Sequence, residues 1–190
     1  MVLRARQLEI EKAVVELIED YGFLNYPTSI GTILETLGAS LIPYSVLYEH
    51  EKRLADLASS DRAFSVISHD YVRTQVVCDD TRGAHFYRAR FSGGHELGHI
   101  WLEHGEDTPN QEAEANYFSG YLLAPHPLIV QMENPSVSEV RECFGVSRDC
   151  ASRAITQANA RKREDQPWRP HEEWLLKNVQ WKGGGLFGRA

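Results

Sequence analysis

Apolar residues near the start of the chain recur at intervals of three and four positions. These positions are occupied by Ile10, Val14, Leu17, Ile18 and Tyr21. Residues three and four apart lie on one face of a helix, so this spacing predicts an amphipathic helix over residues 8–21. Gly22 follows directly, and glycine is the residue that most often comes after a helix end.

Further along, helical spacing gives way to short extended runs. Thr28 or Ser29 can cap a second helix that ends at Leu37. Three later runs, rich in β-branched and aromatic residues, predict strands over 40–46, 63–68 and 72–78. Residues 71–79 are a candidate for backbone pairing with an extended substrate, and a strand with no such role is an equally good interpretation.

The rest of the chain is predominantly helical in pattern, and this order of elements predicts an α+β fold. We expect a small sheet packed on helices, with a helical C-terminal part. At 190 residues, with 42% hydrophobic and 25% charged residues, the chain has ordinary globular composition for one domain. No apolar run approaches the length of about 20 residues that a membrane span needs. The first residues lack a signal-peptide core, and the three cysteines are an odd number without metal-pair spacing, so we expect a cytoplasmic protein with reduced thiols.

The stretch His95-Glu96-Leu97-Gly98-His99 carries the clearest chemical signal. On a helix, residues four apart lie one turn apart on the same face, so both imidazoles can bind one zinc ion. Glu96 lies beside them, where a carboxylate can accept a proton from the attacking water and pass it to the leaving amine. A metallopeptidase with Zn²⁺ is therefore the leading hypothesis.

Two histidines leave a tetrahedral zinc site one protein ligand short. His104 is expected to point about 140° away from His99 and to be a polar residue at the helix end. The amphipathic segment 111–123 is the better source, because Glu112 and Asn116 share one face. Glu112 is the favoured third ligand, and Asn116 is expected to hydrogen-bond a ligand histidine. Glu114 faces elsewhere on the same helix.

The pieces of sequence that resemble a known family are Arg90-Phe91, the motif 95–99, the segment from Glu112 to Phe118, and Leu122-Leu123-Ala124-Pro125. Together they resemble the ImmA/IrrE family of metallopeptidases over roughly 28–163. The resemblance implies a zincin-like, zinc-dependent endopeptidase that cleaves a helix-turn-helix repressor, an anti-repressor role. It implies that His95, His99 and Glu112 hold zinc and that Glu96 is catalytic. We divide the chain into a metallopeptidase domain at 1–165, with its core at 28–163, and a C-terminal tail at 166–190.

A rival signal lies at 136–163, where two predicted helices flank Gly145-Val146. The second helix carries basic residues, which are Arg148, Arg153, Arg161, Lys162 and Arg163. This pattern is typical of a helix-turn-helix DNA reader, and it is equally typical of two packing helices. The net charge of −7 and a pI near 5.6 oppose a large phosphate-binding surface. Direct nucleic-acid binding is therefore disfavoured, and a DNA-binding regulator with a structural or vestigial metal site is the alternative hypothesis.

The residue that would stabilise the oxyanion is left open by the sequence. Candidates with a suitable donor are Tyr44, Tyr117, Tyr121 and His126. A buried tyrosine hydroxyl more often has a structural partner, so the sequence favours none of them.

Overall fold

The computed structural model describes residues 2–50, 52–53, 63–67, 74–78, 85–105 and 108–182. This part of the chain is mostly helical and carries one small sheet. Its helices are α1 (Arg4–Tyr21), α2 (Ile30–Thr36), α3 (His85–Trp101), α4 (Pro109–Leu123), α5 (His126–Val130), α6 (Val137–Phe144), α7 (Arg148–Arg163) and α8 (Pro170–Asn178). Its strands are β1 (Ala39–Pro43), β2 (Ala63–Ile67) and β3 (Thr74–Cys78).

The helix predicted near the start of the chain is α1, which begins four residues earlier than its apolar pattern. The apolar face is buried, with Ile10, Val14, Leu17 and Ile18 fully covered. Gly22 has a φ of 70°, in the left-handed region, and its N–H binds the carbonyls of Glu19 and Ile18. Glycine adopts that conformation without a steric penalty, which is why the helix ends there.

The sheet has the order β1-β3-β2, with β1 parallel and β2 antiparallel to β3. Of residues 71–79 the structure describes 74–78, and for these the central position of β3 overturns the interpretation as a substrate-pairing strand. Both sides of β3 are already paired, so its backbone has no free edge for an extended substrate. The first strand also stops at Pro43, where a 3-10 turn over Tyr44–Val46 begins.

The long helix α3 packs against the sheet on one side and against α4 on another. Two glycines of α3 permit the close approach of α4. A Cβ at Gly98 would meet Ala115 Cα and Phe118 Cβ at 3.2 Å, and one at Gly94 would meet Ser119 Oγ at 2.7 Å. Ser119 donates a hydrogen bond of 2.7 Å to the Phe91 carbonyl across this contact. The two helices are therefore held at short separation.

The C-terminal helices pack against the body of the protein. α6 begins with a capping box between Ser136 and Glu139, and it ends at Gly145 with a φ of 61°. α7 lies against α5 and α6, and α8 lies against α1 and α5. Leu175 of α8 is fully buried. The division of the chain at residue 165 stays a prediction.

Across the described ranges, we find no helix with the length and hydrophobicity that crossing a membrane requires.

Candidate metal centre

Both histidines of the motif project from α3 towards the same point. Their Nε2 atoms lie 3.0 Å apart, and their rings are inclined at 69°. Each side chain retains 16% of its surface exposed, so the point where they converge is reachable from solvent. The one-turn spacing on a continuous helix produces this convergence.

The neighbouring helix α4 supplies a carboxylate to the same point. Thr108 caps α4 by accepting a hydrogen bond from the Gln111 N–H, and Pro109 occupies the first turn. Glu112 therefore also lies in the first turn. Its Oε2 is 3.4 Å from His95 Nε2, and its Oε1 is 3.2 Å from His99 Nε2. We call His95, His99 and Glu112 the metal cluster.

The spacing of these donors fits a tetrahedral ion. Bonds of 2.0–2.1 Å to a tetrahedral zinc place neighbouring ligand atoms about 3.3 Å apart. The two imidazole Nε2 atoms lie 3.0 Å apart, and each lies 3.2 or 3.4 Å from a different carboxylate oxygen of Glu112. Two imidazoles and one carboxylate are also a ligand set that leaves a position open for chemistry. The residues present thus fit a bound metal ion.

Asn116 and Glu96 flank the metal cluster. Asn116 Nδ2 donates a hydrogen bond of 2.7 Å to the Glu112 carbonyl. Asn116 is also close enough to His95 to act on the pKa of that imidazole, which it raises. Glu96, next to His95 on α3, is buried with 7% of its surface exposed. Both predicted site residues are thus in the neighbourhood of the metal cluster, and their roles stay predictions.

The environment keeps His95 in the form that binds metals. Burial lowers the pKa of His95, and the positive charge that His99 can carry lowers it further. Glu112 and Asn116 act in the opposite direction but do not reverse the shift of the pKa. A neutral imidazole has a free lone pair for coordination.

His104 also reaches this site, and the expectation that it points away from His99 was wrong. The helix ends at Trp101, and Glu103 then takes a φ of 53°, which turns the chain back. His104 Nδ1 consequently lies 3.1 Å from His99 Nδ1. The local sequence did not signal this turn, because glutamate rarely adopts a positive φ.

Comparison with known protein families identifies the family of this chain. The model of the family described as IrrE N-terminal-like domain (peptidase family M78) matches residues 53–156, more than half of the chain. The chain belongs to this family. The matched range contains the motif 95–99 and Glu112. No curated protein and no solved structure matches the chain.

This IrrE-like chain has a second cluster of histidines and glutamates, which lies in its core. It consists of Glu11, His126, His171 and Glu172, and we call it the buried ionic cluster. Glu11 Oε2 lies 3.4 Å from His171 Nε2, and Glu172 Oε1 lies 3.8 Å from His126 Nε2. Both carboxylates are fully buried. Single atoms of Glu11, His171 and Glu172 come within 4.8 Å of one another, as metal ligands would.

The carboxylates of the buried ionic cluster are already neutralised by arginines. Arg161 binds Glu172 through two hydrogen bonds of 2.8 and 2.9 Å, and Arg169 adds another of 3.0 Å. Arg4 donates one of 3.1 Å to Glu11. A divalent cation here would add to the positive charge of three arginines, so the cluster is an ion-pair network and not a metal site.

Three of the four oxyanion candidates lie at this network instead of at the metal cluster. The Tyr117 hydroxyl donates a hydrogen bond of 2.6 Å to Glu11. Tyr121 and His126 are buried, with their rings packed 5.2 Å apart. Tyr117 therefore has a structural partner, and the other two side chains are buried in the core.

The helices α6 and α7 meet at a tight turn, as the helix-turn-helix hypothesis requires. Gly145 and the N-cap Ser147 form that turn, and its Gly145 carbonyl accepts a hydrogen bond of 3.0 Å from Arg90. One of the five basic residues is not available to DNA. Arg161 is 4% exposed, and Glu172 accepts its hydrogen bonds.

Proposed function

We propose that this chain is a zinc-dependent endopeptidase with a zincin-like catalytic domain. The observation that carries the proposal is the convergence of His95, His99 and Glu112, at 3.0–3.4 Å, from two helices. Membership in a peptidase family supports the same reaction class. His95, His99 and Glu112 would hold the zinc, and Glu96 would be the catalytic residue.

Each group has a defined part in peptide hydrolysis. When bound, zinc supplies Lewis acidity towards the peptide carbonyl and the attacking water. A carboxylate oxygen of Glu96 accepts a proton from that water and then donates it to the nitrogen of the leaving amine. The partial burial of Glu96 reduces competition from bulk water for this proton. Asn116 would hold the His95 ring in position.

Elemental analysis of the purified protein tests the metal. We expect about one zinc per chain. His95→Ala and His99→Ala should lose the metal, whereas Glu96→Gln should retain it and lose peptide hydrolysis. The matched control is His50→Ala, because His50 is exposed, stacks on Tyr48 and is not one of the converging donors. An unmodified protein that was supplied with zinc and bound no stoichiometric metal would contradict the proposal.

We further propose that the substrate is a helix-turn-helix repressor, cleaved in the cytoplasm to release transcription. The family resemblance supports this choice, and an unrestricted peptidase would be hazardous inside a cell. Co-expression of the chain with repressors encoded nearby should give a fragment that requires zinc. The Glu96→Gln variant is the control, because it should keep the metal and give no fragment.

DNA binding by α6 and α7 is the second candidate, favoured by their tight turn and by the exposed Arg153 and Arg163 of α7. Phosphate contacts release counterions, so genuine binding should weaken steeply as salt rises. A gel-shift titration of the Glu96→Gln protein over several salt concentrations measures this. Specific, salt-sensitive binding combined with no cleavage of any nearby repressor would reverse the order of the two candidates.

A further inference from the structure

A continuous series of polar contacts runs from α1 to the metal cluster. Arg6 of α1 binds Glu114 Oε2 through Nε and Nη2, at 2.9 and 2.7 Å. The same Glu114 oxygen lies 3.3 Å from His104 Nε2. His104 Nδ1 in turn lies 3.1 Å from His99 Nδ1. We call Arg6, Glu114 and His104 the support chain.

When His104 is neutral, the chemistry of the two ends fixes the direction of every hydrogen bond in the support chain. Arg6 has only donors, so Glu114 must accept from it. A carboxylate that accepts from arginine also accepts from His104, which places the His104 proton on Nε2. His104 Nδ1 then offers a lone pair to His99, and His99 must carry its proton on Nδ1.

This arrangement leaves Nε2 of His99 without a proton, and Nε2 is the atom that faces His95 and Glu112. A ligand histidine commonly donates its other N–H to a carboxylate or carbonyl, which sets the ring orientation and the tautomer. Here a second imidazole stands between the ligand histidine and the carboxylate. The side chain of His104 is 4% exposed, so water competes little for its contact with His99.

We propose that His104, Glu114 and Arg6 are positioning residues that hold His99 in the tautomer and orientation required for metal binding. This inference rests on the proposed zinc site. It also distinguishes the two downstream glutamates, since Glu112 is the ligand and Glu114 acts only through His104.

Zinc affinity, measured by competition with a chelator, tests the support chain. His104→Ala and Glu114→Ala should each weaken zinc binding by about 10- to 100-fold, the range typical of such outer partners. Saturating zinc should still give stoichiometric binding, in contrast to Glu112→Ala. Arg6→Ala should have a smaller effect in the same direction. Glu9→Gln is the matched control, because Glu9 also pairs with Arg6, at 2.9 Å, but lies outside the support chain.

A double-mutant cycle separates positioning from general stability. An asparagine at position 104 can offer an acceptor near the place of Nδ1, but it is too short to reach Glu114 as well. His104→Asn should therefore recover part of the affinity that His104→Ala loses. In that background Glu114→Ala should have no further effect on zinc affinity. A full additional loss would show that Glu114 does not act through His104.

Nitrogen-15 NMR of the histidine rings in the zinc-loaded protein gives a readout that a purely structural role would not change. We expect the proton on Nδ1 of His99 and on Nε2 of His104, with Glu114→Ala allowing His104 to mix both tautomers. Unchanged zinc affinity in every support-chain variant, or a His104 proton on Nδ1, would overturn the inference. If the unmodified protein binds no zinc, the proposed function itself fails. Should His104→Ala not fold, Arg6→Ala still decides, because the side chain of Arg6 is 38% exposed and we expect its truncation to leave the fold intact.

Discussion

The metal cluster and the buried ionic cluster are built from the same two residue types but differ in what surrounds them. In the buried ionic cluster, arginines donate hydrogen bonds to the carboxylates of Glu11 and Glu172. In the metal cluster, Glu112 faces two imidazoles and no arginine or lysine contact is found for it in the described part of the chain, and burial lowers the pKa of one imidazole, His95. The comparison teaches that a metal site is marked by donors that converge without a compensating cation. Proximity of histidines and glutamates alone does not distinguish the two.

Because the surroundings differ, removal of one glutamate should have a different consequence in each cluster. In an ion-pair network, removing one partner leaves a buried charge uncompensated, so the fold loses stability. In a metal site, removing a ligand lowers the affinity for the ion, while the neighbouring groups can be solvated. The side chain of Glu112 is 40% exposed, whereas that of Glu172 is fully buried. The two glutamates therefore offer a direct test of the comparison.

The largest expected effect belongs to Glu172→Ala. It leaves the Arg161 guanidinium buried without its carboxylate, at a cost of about 3–5 kcal/mol in the free energy of unfolding. Urea unfolding of the variant measures this, with Glu173→Ala as the matched control. Glu173 is the next residue on α8, is exposed, and pairs only loosely with Lys177 at 3.5 Å. Equal stability of the two variants would mean that the buried ionic cluster contributes little.

Glu112→Ala is the counterpart in the metal cluster. We expect zinc affinity to fall by more than the roughly 100-fold limit for outer partners, because a ligand itself is lost. Stability of the metal-free protein should change little, since Glu112 is partly exposed. Competition with a chelator measures the zinc affinity, and thermal unfolding measures the stability of the metal-free protein. The control is Glu133→Ala, because Glu133 is exposed. Retained zinc affinity in Glu112→Ala would remove Glu112 from the ligand set.

Addition of zinc should also distinguish Glu172→Ala from Glu112→Ala. An ion that binds only the folded state stabilises it by about 2.7 kcal/mol when its free concentration is 100 times its dissociation constant. We expect that increase in the unmodified protein and in Glu172→Ala, but not in Glu112→Ala. Thermal unfolding with and without zinc is the measurement. Stabilisation of Glu112→Ala by zinc would point to a different binding site.

The smallest expected effect is the dependence of stability on pH. Burial alone would raise the pKa of Glu172, but its interactions with His126 and Arg161 outweigh burial and hold the pKa far below the ordinary value. The folded protein then binds fewer protons than the unfolded chain, so stability falls as the pH drops below about 4.5. The contribution of Glu172 to this loss approaches about 1.4 kcal/mol per pH unit. The difference in the free energy of unfolding between the unmodified protein and Glu172→Ala should therefore become smaller as the pH falls below about 4.5. A difference that stays constant over this pH range would show that the lowered pKa of Glu172 does not contribute to stability.

Local patterns in the sequence were enough to predict the elements that carry the metal cluster. The spacing of His95 and His99 and the amphipathic segment with Glu112 both depend on helical periodicity, which short stretches of sequence encode. The resemblance to the ImmA/IrrE family, based on the same stretches, is confirmed by the family match. The zinc-binding and catalytic roles of these residues stay predictions.

The remaining features depend on contacts that no local pattern encodes. His104 reaches His99 because one residue, Glu103, adopts a left-handed backbone conformation, which glutamate rarely does. The pairing of Glu11 with His171 joins residues far apart in the sequence. Nothing in the local sequence distinguishes Arg161 from the exposed basic residues of α7. It is buried because α8 packs nearby, where Glu172 accepts its hydrogen bonds.

The short separation of α3 and α4 bears on which metal ion the site prefers. The imidazoles come from one helix and the carboxylate from the other, so the helix separation sets the size of the space between them. Gly98 fixes that separation through its contact with Ala115, although it offers no ligand. Different metals require different bond lengths and geometries. In the proposed zinc site, metal selectivity would therefore depend partly on Gly98, a residue that offers no ligand to the ion.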